Sequence, residues 1–165
     1  MTFSMVLTAP SADAEPDDDA EPSHDDFDSV VMDACNVLSR TDARFEVRGF
    51  GPDPWPVDVS YDLSTALEQL PDVLAGIRAT KRVTLDFYGQ GMGRELVFTP
   101  QRDDTEIVCV SRTSWEPDPA TERMTSTELE RMLVRLAMTF AESVSRVAPR
   151  FAVVAPLSRW RTGDL

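Results

Sequence analysis

The stretch VTLDFYGQGMGRELVFTPQRDDTEIVCV, Val83 to Val110, decides the fold. Val83, Leu85 and Phe87 alternate with Thr84, Asp86 and Tyr88, and Leu96 and Phe98 alternate with Glu95, Val97 and Thr99. A period of two is the signature of a strand with one buried face. Ile107 to Val110 is apolar at successive positions, as a central strand is. Gly89-Gln-Gly-Met-Gly93 and Gln101-Arg-Asp-Asp104 are turn material between the three runs. The stretch therefore reads as an antiparallel meander.

Upstream, Leu63, Leu67, Leu70, Leu74 and Ile77 share one face of a helix, in which Pro71 is expected to make a kink or start a second segment. Before it, Phe45–Phe50 and Val57–Tyr61 alternate like strands, and Gly51-Pro-Asp-Pro-Trp-Pro56 between them must be a rigid loop. Val30, Val31, Ala34, Val37 and Leu38 predict a short helix over residues 29–40, capped by Asp28 or Ser29. Downstream, residues 113–123 read as a loop carrying Trp115, Pro117 and Pro119. Thr125-x-x-Glu128 is then a capping box that opens the stripe Leu129, Met132, Leu133, Leu136, Phe140, Val144 and Val147. Pro149 stops that helix, residues 151–156 read as a last edge strand, and Trp160 falls in a frayed tail. The expected architecture is α+β: one antiparallel sheet of about five strands, two main helices packed on one face, and a short N-terminal helix. The other face would carry mostly polar residues plus Val97, Val108 and Val110, which the first helix or the C-terminal segment is expected to cover.

Charge divides the chain. Residues 1–28 hold nine acids and no Lys or Arg, whereas the remaining 137 hold 20 acids against all 16 basic residues. The net charge of −13 is thus mostly a leader. Its composition predicts a disordered acidic segment over 1–28, a single domain over 29–156 and a tail over 157–165. Such charge argues against nucleic acid as a ligand, since phosphate binding needs a basic footprint. No apolar run is long enough to span a bilayer, and no secretory signal is evident at the N-terminus. Cys35 and Cys109 have no framework spacing, so a cytoplasmic protein without disulfides is expected.

Familiar catalytic chemistry finds no residues. His24 is the one histidine and lies in the leader, so neither a zinc site nor a histidine-based triad can form in the body. Gly89-x-Gly91-x-Gly93 has the wrong spacing for a dinucleotide loop and is followed by a strand, so no cofactor is expected. Cys109, between Val108 and Val110, reads as a buried inert thiol. Two proline-stiffened loops stand out instead. Trp55 lies beside Asp53 and Asp58, and Trp115 beside Glu116 and Asp118. Large aromatics held in loops of low ordering cost are the usual anchors of protein interfaces, although an indole also plugs the end of a core. With Asp86 on the open sheet face, Asp53, Trp55, Asp58, Trp115, Glu116 and Asp118 make up the candidate partner-binding set. Asp58 and Asp86 projecting from one sheet face would also be the only acid pair for a carboxylate enzyme.

In size, charge and layout the body resembles the immunity proteins of bacterial polymorphic-toxin and contact-dependent inhibition systems. That resemblance implies stoichiometric occlusion of a cognate toxin by a non-catalytic protein, and assigns no site residues. A dimeric secretion chaperone, a regulatory subunit using the valine patch, and a carboxylate-only enzyme stay open as alternatives.

Overall fold

A computed structural model describes residues 2–165. The chain is α+β, but its strands form two antiparallel sheets where a single sheet of about five was expected. Strand β1 (Ser4–Thr8) pairs with β2 (Arg44–Arg48). Strands β3 (Val83–Phe87), β4 (Arg94–Gln101), β5 (Asp104–Ser111) and β6 (Thr121–Thr125) follow one another as a meander. The helices are α1 (Phe27–Leu38), α2 (Asp62–Arg78), α3 (Ser126–Val147) and a single turn, α4 (Leu157–Trp160).

The meander has the predicted period. Leu85, Phe87, Leu96, Phe98, Ile107 and Cys109 lie in the core, and α2 and α3 pack against the sheet. Across the open face runs a row Thr84, Val97, Val108, Thr121, in register over all four strands. On one side of that row Arg112 pairs with Asp86, and on the other Arg123 reaches Glu106 at 2.7 Å. The covering of this face by α1 or the C-terminal segment is not what the structure shows. Those elements pack on α2 and α3, and Val110 stays 43% exposed. Val97, by contrast, is buried.

Helix starts follow their caps. Thr125 Oγ1 accepts from Glu128 N at 3.2 Å, the first bond of the expected capping box, while the Glu128 carboxylate takes its return bond from the Thr125 hydroxyl at 2.8 Å. At α1 the cap is Asp26, where Asp28 or Ser29 was expected, and it accepts from Ser29 N at 3.1 Å. Helix α2 runs through Pro71 as one element.

The largest departure is at the N-terminus. Residues 1–28 were expected to be disordered, yet Phe3, Met5 and Leu7 are buried in the core. Their alternation with Ser4, Val6 and Thr8 was present in the sequence but overshadowed by the acids that follow. The acidic part is also fastened down: Asp17 N donates to Val147 O at 2.7 Å, and Ser23 to Asp33. Three other expectations change. Residues 57–61 are turns leading into α2, residues 121–125 form β6, and residues 149–153 wind as a 3₁₀ turn in place of an edge strand. Nor is the tail frayed, since Trp160 is 3% exposed and packs on Phe27 and Phe140.

Candidate functional site

Glu122 joins the two sheets. From the middle of β6 its carboxylate accepts from Phe50 N at 2.8 Å and from Phe3 N. Gly49 makes this approach possible, because a Cβ there would stand 2.8 Å from the Phe3 backbone and its φ is +112°. Phe50 follows in the left-handed region at φ 60°, held there by the Glu122 bond. The chain thus turns out of β2 into the proline-rich loop with a fixed direction.

That loop folds back on β2, with Trp55 N donating to Val47 O at 2.8 Å and the indole N–H to Gly49 O at 3.1 Å. The second loop docks onto the first. Asp118 N donates to Phe50 O at 3.0 Å, and the two indoles meet edge to face with centroids 5.9 Å apart. Trp55 is 4% exposed, so it fills the core end, whereas Trp115 remains half-buried above it. Asp53, Glu116 and Asp118 are exposed on these same loops. Five of the seven candidate residues are therefore carried by one pair of interlocked loops.

The other two serve elsewhere. Asp58 Oδ1 accepts from Tyr61 N at 2.7 Å and Asp62 N at 3.0 Å, and Asp62 returns the bond to Asp58 N, so Asp58 organises the start of α2. Since residues 57–61 are not a strand, Asp58 and Asp86 do not share a sheet face as expected. Asp86 sits in β3 and is neutralised by Arg112, whose protonated form the pair stabilises. Its backbone is tied at both N and O to the Gln69 side chain.

One residue absent from the sequence reading stands at the centre. The Arg94 guanidinium packs in the corner formed by the two indoles, 3.5 Å from the Trp115 ring centroid and 4.7 Å from that of Trp55. Arg94 is 7% exposed, and its Nε is buried without a hydrogen-bond partner. Its parity could have revealed it: Arg94, Leu96 and Phe98 are spaced by two and share the inward face. Burial pulls the arginine pKa down, and it pushes the thiol of Cys109, on the inward face of the neighbouring strand, up to about 11. The thiol is therefore neutral near pH 7 and supplies no counter-charge.

A separate groove of about 640 Å³ runs between β1 and α3, lined by Met5, Leu7, Met132 and Leu136 with Arg131 and Arg135 at its rim. Among the described residues no three His, Cys, Asp or Glu side chains gather to hold a metal, and no helix is long and apolar enough to cross a membrane. Comparison with known proteins adds no likeness: no family model, no curated protein and no solved structure matches the chain.

Proposed function

We propose that the protein is a non-catalytic binding domain that engages another protein through the paired loops, and most concretely an immunity protein that neutralises a bacterial toxin by stoichiometric binding. The observation that supports this reading is the loop pair itself. Two proline-stiffened segments, more than fifty residues apart in sequence, are fastened to each other and present Trp115 with Asp53, Glu116 and Asp118 on one rigid surface. A preorganised surface of this kind loses little entropy on docking, an aromatic supplies an anchor, and flanking acids steer a basic partner.

The test is protection. Tagged protein is used to recover a stoichiometric partner from the native lysate, and that partner is then expressed with and without the protein. Growth rescue is expected, and Trp115→Ala or Glu116→Arg should weaken the complex by at least about tenfold. If both variants protect as well as the parent, the interface lies elsewhere.

A second reading, a dimeric chaperone-like protein, is favoured by the open sheet face with Val108 partly and Val110 largely uncovered. It requires a stable dimer, which the mass in solution decides.

A further inference from the structure

Arg94 is the buried arginine among the described residues, and no acid stands beside it. Arg48, Arg78, Arg112, Arg123, Arg150 and Arg159 each pair with a carboxylate at the surface. The chain has 29 acids to choose from, and still none meets Arg94. A guanidinium carries its five N–H donors in one plane. With the guanidinium over the Trp115 ring and Trp55 to one side, attraction to the two rings offsets part of the desolvation of the charge but uses none of those donors. Burying a cation with its Nε–H left unpartnered is unfavourable unless an acceptor arrives. The fork of donors along the guanidinium edge suits the flat, two-oxygen face of a carboxylate. The acids on the same loops disfavour a more highly charged group such as phosphate.

We propose that Arg94, packed against Trp115 and Trp55, is a receptor for a carboxylate carried by the protein partner. The identity of the carrier rests on the binding reading above; the chemistry of the receptor does not. The partner would then present a basic surface to Asp53, Glu116 and Asp118, and one acidic group to the Arg94 guanidinium. Discrimination follows, because a partner lacking that group would bury the arginine still further without pairing it.

The experiment needs no partner. Sodium acetate, inorganic phosphate and sodium chloride are titrated at constant ionic strength into the full-length labelled protein. The Arg94 Nε–H and the Trp55 and Trp115 indole resonances are followed. Acetate is expected to shift all three saturably, half-saturating at roughly 1–50 mM, while chloride does not. Arg94→Lys, which keeps the charge and loses the planar fork, should abolish saturation. Should that variant fail to fold, Trp115→Leu should weaken acetate binding severalfold with the guanidinium still present. Triglycine with a free C-terminus, compared with an amidated peptide bearing one glutamate, shows whether a chain end or a side chain is preferred. Acetate acting no differently from chloride, phosphate binding more tightly than acetate, or saturation surviving in Arg94→Lys would each overturn the proposal. Failure to find a toxin would leave the acetate result standing, and failure of acetate would leave the loop interface to be tested by protection alone.

Discussion

Replacing Glu122 by alanine removes the acceptor from two backbone N–H groups at once, those of Phe3 and Phe50. Orphaned amides at a junction between sheets are expensive, and the loss is expected at about 2–3 kcal/mol by urea denaturation. Glu122→Gln keeps one oxygen acceptor and should lose about half as much. The two cysteines titrate in the opposite sense from a paired carboxylate. Burial holds both thiols protonated, Cys109 up to about 11 from an ordinary 9.0. Between those values the unfolded chain releases protons that the folded one retains. The contribution of Cys109 is therefore complete below pH 9 and declines as pH rises through about 11. At pH 8 a thiol reagent should label neither cysteine until denaturant is added, and rapid labelling of the folded protein would contradict their burial. At this scale the site was partly legible. Trp55, Trp115 and their acids were found because proline and tryptophan stand out in a loop. Arg94 and Glu122 were missed because a charged residue in a strand reads as solvated, and its partner across the fold is invisible to local pattern.

The elements with a strong repeat were the ones the sequence disclosed. The meander from Val83 to Val110 and the helix begun at Thr125 appear as expected, since alternation and a capping box depend on neighbours a few residues away. Thr125→Ala should cost about 1 kcal/mol in a thermal or urea melt, the usual loss for a removed cap. Elements defined from afar were not legible. β6 is a strand because β5 offers it an edge, and residues 57–61 are not one because no strand lies beside them. β1 is the sharpest case, five residues whose ladder is completed by β2 some forty positions later. Leu7→Ala is expected to destabilise by about 2–4 kcal/mol, and removal of residues 1–8 to abolish the cooperative transition. A truncated chain that unfolds like the parent would restore the reading of this segment as a solvated leader.

Over the whole molecule, a net charge of −13 gives a field that reaches any partner before contact does. Association with a basic partner should slow as salt rises from about 50 to 500 mM while dissociation changes little. Stopped-flow mixing measures both. Glu116→Arg should flatten that salt dependence; Arg94→Lys should leave it alone and speed dissociation, because a buried pair governs lifetime more than encounter.

The clamp between β1 and β6 also bears on how the protein is made. Phe3 and Glu122 are 119 positions apart, so at roughly 5–20 residues per second the N-terminal strand waits about 6–24 s for its fastening to be synthesised. For most of that interval β1 has β2 to pair with but not the clamp that fastens the pair to the meander. The yield of folded protein is therefore sensitive to the pace of translation before codon 122, and to whatever shelters a short greasy strand on the nascent chain.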